Sequence, residues 1–191
     1  MEQYYKSTDY SRIKNISEYL TLNAEKHPEK PALLYPVMVT YREMEKKVER
    51  LSWKLKNSGI TNGTRTLVML PAGADFFILT FALLRISAVP VMIDPGMGIK
   101  AMISVLADLQ PGAFIGTPKA HLLRIAYPHV FKTVKIKFTS GSVFIPGAKK
   151  LKDPVNDNPG KYPFHSGDPN NMAAIFFTSG SPGPAKCVIY T

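Results

Sequence analysis

Near the end of this 191-residue chain, Thr178-Ser179-Gly180-Ser181-Pro182-Gly183-Pro184-Ala185-Lys186 gathers hydroxyls, glycines and one cation into a short segment. Small residues let backbone N–H groups approach an anion closely, and successive amides can form a nest for it. Thr178, Ser179 and Ser181 would add side-chain donors, and Lys186 a point charge. This donor set suits phosphate. The same composition also suits a Ser/Gly/Pro-rich turn between two strands, so residues 178–186 alone leave both readings open. The segment is not a Walker A loop, because Lys186 follows Ala185 and precedes Cys187 rather than sitting between Gly and Ser/Thr. An apolar run, 172–177, leads in, and Val188-Ile189 leads out, so the expected order is strand, loop, strand. No helix dipole would then assist, and hydroxyls and lysine must do more of the binding.

Other chemistry is sparse. His27, His121, His129 and His165 have no metal-ligand spacing with one another, with the cysteine or with a carboxylate, so no metal site is expected. Gly141-Ser142 and Gly180-Ser181 do not make a Gly-x-Ser-x-Gly nucleophile elbow. Cys187 follows a lysine, which could lower its pKa, but a cysteine buried in a strand is the simpler reading. No catalytic residue is assigned within the chain.

The elements that must position residues 178–186 follow from periodicity. Residues 1–14 read as a flexible arm. Helical spacing marks 16–27, with Asn15 or Ser17 as cap, and two short strands flank Pro36. A long helix opens at Thr40 or Tyr41 and runs to about Ser58. Met44, Val48, Leu51 and Leu55 line one face of it, while Glu43, Lys47, Glu49 and Arg50 form a solvated one. Gly59 is its C-terminal stop. Strands are then expected at 66–70, 89–93, 113–115 and 133–138, alternating with helices at 74–87, 99–110 and 118–127. Such alternation predicts an α/β fold with a mostly parallel sheet and helices on both faces. Ligands of such sheets bind at the strands' carboxyl ends, where the Asp94 loop and the Thr117-Pro118-Lys119 turn fall. Residues 140–171, rich in Pro, Gly, Asn, Asp and Lys, read as a long surface connection with one short strand near Val143.

Composition narrows the function classes. Apolar residues make up 45% and charged residues 20%, as in a globular domain. A single cysteine excludes an internal disulfide framework and fits a reducing compartment. The amino terminus lacks an apolar signal core, and Arg85 and Pro90 interrupt the longest apolar stretch, 76–93. The expected location is cytoplasmic, with peripheral membrane contact as the alternative. The formal net charge of +10 attracts anions in general. No arginine-rich run or nucleic-acid motif accompanies it, so no nucleic acid is expected as a partner.

Residues 177–186 resemble the phosphate-binding signature of the adenylate-forming superfamily, which includes acyl-CoA synthetases, luciferases and peptide-synthetase adenylation domains. Lys30-Pro31-Ala32, Thr40-Tyr41-Arg42-Glu43 and Gly59-Ile60 resemble that family's opening. The segments Val68-Met69-Leu70-Pro71-Ala72-Gly73, Ala88-Val89-Pro90-Val91, Ile93-Asp94-Pro95-Gly96-Met97-Gly98 and Phe114-Ile115-Gly116-Thr117-Pro118-Lys119 are most similar to one branch. That branch is the fatty-acid CoA ligase-like β-lactone synthetases of long-chain olefin biosynthesis.

The resemblance implies that residues 15–191 are the amino-terminal α/β part of an AMP-binding domain. Its implied partners are ATP with Mg²⁺ and a carboxylic acid, with CoA as one candidate second nucleophile. Thr178, Ser179, Gly180, Ser181, Gly183 and Lys186 would hold the β- and γ-phosphates. The acid would be activated as an acyl-adenylate and then closed to a β-lactone or passed to a thiol. The family's adenine-, ribose- and metal-binding segments and its small carboxyl-terminal domain lie outside these residues, so the chain alone is expected to be inactive. An acyl-CoA or acyl-AMP ligase, and a catalytically dead nucleotide-binding remnant, are the alternatives. Departures from the pattern are Pro182 for a usual Thr, Cys187 and Ser87 for usual glycines, and Thr64 for a frequent Asp.

Overall fold

The computed structural model describes residues 13–93, 97–152, 162, 164, 168, 170–178 and 186–191. Helix α1 (Glu18–Lys26) precedes strands β1 (Pro31–Leu33) and β2 (Val39–Thr40), which pair antiparallel as a small separate sheet. Helix α2 (Tyr41–Asn57) starts at a capping box. Thr40 Oγ1 accepts from the Glu43 N–H, and the Glu43 carboxylate accepts from the Thr40 N–H. The second bond holds the Glu43 carboxyl below its usual range. The expected stripe Met44, Val48, Leu51 and Leu55 is buried.

From there the chain alternates: β3 (Arg65–Met69), α3 (Ala74–Arg85), β4 (Val89–Ile93), α4 (Ile99–Leu109), β5 (Ala113–Gly116), α5 (Pro118–Ala126), β6 (Ile136–Thr139) and β7 (Lys149–Lys150). Strands β8 (Ala174–Thr178) and β9 (Lys186–Tyr190) complete it. The large sheet has the order β7-β6-β5-β3-β4-β8-β9. It is parallel except at β9, which returns antiparallel along β8. The α/β class and the mostly parallel sheet match the expectation. No helix among the described residues is long and apolar enough to cross a membrane.

Side chains alternate across each strand, so neighbours in β3 serve opposite faces. Val68 joins α1, α2 and α3 in a cluster with Leu20, Leu55, Leu79, Leu83 and Phe138. Leu67 joins α4 in a second cluster with Met102, Leu106, Phe114, Phe131 and Phe177. Helices therefore cover both faces. Pro90 is tolerated inside β4 for a geometric reason. The Val89 N–H bonds Thr64 on the β3 side, so position 90 faces β8, whose pairing with β4 starts only at Val91.

Two expectations fail. The short strand near Val143 is absent, and Val143 and Phe144 lie in an exposed bend. The strand that does add to β6 is Lys149–Lys150, an exposed charged edge set by pairing with Phe138 and Thr139 rather than by β propensity. The expected strand start at residue 133 also moves: Thr133, Val134 and Lys135 precede β6, and Thr133 Oγ1 instead donates to the Pro111 carbonyl.

Candidate functional site

The carboxyl ends of β3, β4, β5, β6 and β8 share one edge of the sheet, because all five strands run parallel. Strand β3 leads through α3 to β4 on one side. Strand β4 leads back past β3 to β5, and β5 continues outward to β6. The direction of winding thus reverses between β3 and β5, the point at which sheets of this kind receive their ligands.

Two turns leave the sheet at that point. Leu70-Pro71-Ala72-Gly73 leaves β3, with Pro71 and Ala72 exposed. Thr117 leaves β5, tied to β3 by its N–H on the Met69 carbonyl at 3.2 Å. Thr117 caps α5, its Oγ1 accepting from the Ala120 N–H at 3.2 Å, and Pro118 occupies the first turn. Gly116 permits this tight exit. A Cβ there would lie 2.7 Å from Phe114 Cζ and 3.0 Å from Ala120 Cβ. Lys119 is exposed on the first turn of α5.

Beneath the turn, His121 is buried against the Phe114 ring. The Arg124 Nε–H donates to its Nδ1 at 3.3 Å, so Nε2 carries the proton and donates to the Phe138 carbonyl at 3.1 Å. Burial pushes the imidazole pKa down, partly opposed by that carbonyl. This histidine is a packed, neutral strut.

The two strands that flank the hydroxyl- and glycine-rich segment meet elsewhere on the same edge. Ile93 of β4 pairs with Phe177, and Thr178 of β8 pairs with Lys186 of β9. The structure thus brings the backbones of Thr178 and Lys186 together as the base of a hairpin at the carboxyl edge. Ser179, Gly180, Ser181 and Gly183 lie outside the described residues, as do Asp94 and His165. Strands flank the segment on both sides, as expected; the residues between them lie outside the described ones. The hairpin is separated from β3 by β4, so its base stands roughly 10 Å from β3 at ordinary strand spacing.

Cys187 is exposed, which corrects the expectation of a buried strand cysteine. Its residue type favours burial, but β9 is the outermost strand and all of residues 187–190 are exposed. No group of three His, Cys, Asp or Glu side chains among the described residues could hold a metal ion. The described residues here are the paired backbones of Thr178 and Lys186, and a divalent ion has no ligand set among the described residues.

Sequence reasoning missed one buried constellation. Arg85 Nη2 meets Glu45 Oε2 at 2.7 Å and Thr21 Oγ1 at 3.2 Å, linking α3, α2 and α1. Arg85 is fully buried, and its Nη1 has no hydrogen-bond partner. Phe164 stacks over the guanidinium, 5.0 Å from its carbon to the ring centroid. The only sequence signal was Arg85 itself, breaking an apolar stretch.

The family described as AMP-binding enzyme matches residues 20–191. An olefin beta-lactone synthetase of Stenotrophomonas maltophilia (strain K279a) is 34% identical over 156 residues, covering 82% of this chain and 28% of that protein. A salicyl-AMP ligase / salicyl-S-ArCP synthetase of Mycobacterium tuberculosis is 30% identical over 160 residues, 78% of this chain and 27% of that protein. The chain therefore spans little more than a quarter of the length of these relatives. Among solved structures, the anthranilate CoA ligase AuaEII, in complex with anthranoyl-AMP, superposes with a TM-score of 0.82 at 18% identity. That match covers 95% of this chain and 36% of AuaEII. Apo MbtA of Mycobacterium smegmatis gives 0.80 at 24% identity, over 98% of this chain and 35% of MbtA.

Proposed function

This chain belongs to the AMP-binding enzyme family, and we propose that it supplies the phosphate-binding part of an enzyme that activates a carboxylic acid with ATP. The carboxylate attacks the α-phosphate, an acyl-adenylate forms and pyrophosphate leaves. The observation that carries this reading is the hairpin base, Thr178 against Lys186, at the carboxyl edge of the sheet. There the chain's task is to position the β- and γ-phosphates and offset their charge. Thr178, Ser179, Gly180, Ser181 and Gly183 donate hydrogen bonds, and Lys186 contributes its ammonium group. Magnesium bound to the triphosphate would supply further charge neutralisation.

The acid is a long-chain, β-hydroxy acid, whose own hydroxyl then attacks the acyl carbon of the adenylate, closing a β-lactone as the acyl–phosphate bond breaks and AMP and the hydroxyl proton leave. Support comes from the two olefin beta-lactone synthetases at 34% and 35% identity. Transfer to CoA, or release as acyl-AMP, is the second reading, favoured by the salicyl-AMP ligase at 30% identity. Reducing, ATP-supplied cytoplasm is the compartment that either reading requires.

Calorimetric titration of Mg²⁺–ATP into the wild-type protein and Lys186→Ala tests the loop. The variant should bind at least about tenfold more weakly, the scale of one charge-assisted contact. Equal affinities would remove the phosphate assignment. Mass spectrometry of products from a β-hydroxy fatty acid, with and without CoA, separates lactone from thioester.

A further inference from the structure

We propose that the tip of the β1–β2 hairpin is a lipid anchor that seats this protein on an anionic bilayer surface. Leu34, Tyr35, Val37 and Met38 are 76%, 88%, 65% and 61% exposed, and Pro36 between them is exposed as well. Five consecutive non-polar positions thus project beyond a two-stranded sheet that is separate from the main one. Single exposed apolar residues are ordinary, whereas a contiguous cluster marks a contact surface. The strands beneath are held from the other side: Val39 is buried in the α1–α3 cluster, and Ala32 and Leu33 pack against it. The tip therefore cannot fold back without giving up those contacts.

Charge selects the occupant. No acidic residue lies between Lys30 and Arg42. Of the flanking acids, Glu29 pairs with Arg42 at 2.9 Å and Glu43 caps α2. The first three turns of α2, which the hairpin enters, expose Arg42, Lys46, Lys47 and Arg50, while Glu45 faces inward onto Arg85 and Glu49 is half-buried. An apolar tip with an aromatic residue, beside a cationic helix face, matches the layering of an anionic membrane interface. A second copy of the chain fits less well, since a stable protein interface uses about 20–30 residues a side. The inference goes beyond the adenylation reading. It suits an acid that concentrates in membranes, but vesicle binding needs neither ATP nor acid, so the two readings fail separately.

The test is flotation of the protein with vesicles of phosphatidylcholine plus phosphatidylglycerol, and of phosphatidylcholine alone. The wild type should float with the anionic vesicles, and less so as salt rises. Tyr35→Ser/Val37→Ser/Met38→Ser should bind about tenfold more weakly with an unchanged circular dichroism spectrum. Val143→Ser/Phe144→Ser, which removes equally exposed apolar groups elsewhere, should bind as wild type. Lys46→Glu/Lys47→Glu should lose binding to the anionic vesicles. Should the tip variant fail to fold, Met38→Trp reads insertion directly, as a blue shift of its fluorescence on anionic vesicles. No flotation of the wild type, equal flotation of the tip variant, or no blue shift would overturn the proposal. So would a sedimenting dimer that the tip variant dissolves without any vesicle binding, which would make the occupant a second copy.

Discussion

On the α1–α3 face, the sheet is covered by a cluster that encloses the Arg85–Glu45 ion pair; on the α4–α5 face, the buried side chain with titratable nitrogens is His121. The first arrangement ties three helices through charges removed from water, with one guanidinium nitrogen left over. The second uses an uncharged ring with both nitrogens bonded. The difference lies in what each face tolerates. Loss of one partner from an ion pair strands a buried charge, whereas the neutral ring is threatened only by a proton.

The sharpest break of that contrast is Glu45→Ala, which leaves Arg85 unpaired. It should cost about 3–5 kcal/mol, read as a lowered urea midpoint. Arg85→Met/Glu45→Leu should recover most of the loss, because the pair itself contributes little beyond filling its space. A double variant as unstable as Glu45→Ala would mean that the pair stabilises in its own right.

A smaller effect, of opposite sign, is expected where α3 leaves the same cluster. Ser87 has φ of +54°, in the left-handed region where a side chain is strained. It is one of the positions where the related pattern usually carries glycine. Ser87→Gly should stabilise by about 1 kcal/mol, the strain relieved less the added freedom of the unfolded chain. A lower midpoint would show that the serine side chain contributes more than its backbone costs.

The smallest effect is on the other face and depends on pH. The folded His121 pKa lies below its ordinary 6.5. Above 6.5 both states are neutral and the contribution is complete. As pH falls below 6.5 the unfolded chain takes up a proton before the folded one, so stability declines until the folded imidazole is protonated. Phe114, the Phe138 carbonyl, Arg124 and Lys137 surround or act on the ring, and none offers a carboxylate to hold the charge. The difference in stability between wild type and His121→Gln should narrow across that window in urea titrations. A constant difference would mean that His121 does not titrate on unfolding.

The alternation of strands and helices was legible because each element carries its own period: Met44, Val48, Leu51 and Leu55 in α2, or the apolar run of β4. Thr40 and Glu43 announced the start of α2 through a local capping pattern. The Arg85–Glu45 pair was not legible, since its partners stand 40 positions apart and no local rule joins them. Strand β7 was misplaced for the same reason: Val143 has the propensity, but Lys149 and Lys150 have the neighbour. Of the candidate site, the hairpin around residues 178 and 186 could be anticipated from flanking apolar runs, and the exposure of Cys187 could not, because nothing local reveals which strand lies outermost.

The two edges of the main sheet are chemically unequal. On one side β7 presents two exposed lysines and only two residues of ladder. On the other, β9 is five residues long and exposes Val188, Ile189 and Tyr190. A strand added beside β7 would have to bury ammonium groups, while one added beside β9 would gain hydrogen bonds and cover apolar surface. The sheet is therefore polarised: the apolar edge is the one that holds the hairpin base of Thr178 and Lys186, and the charged edge lies at the opposite end.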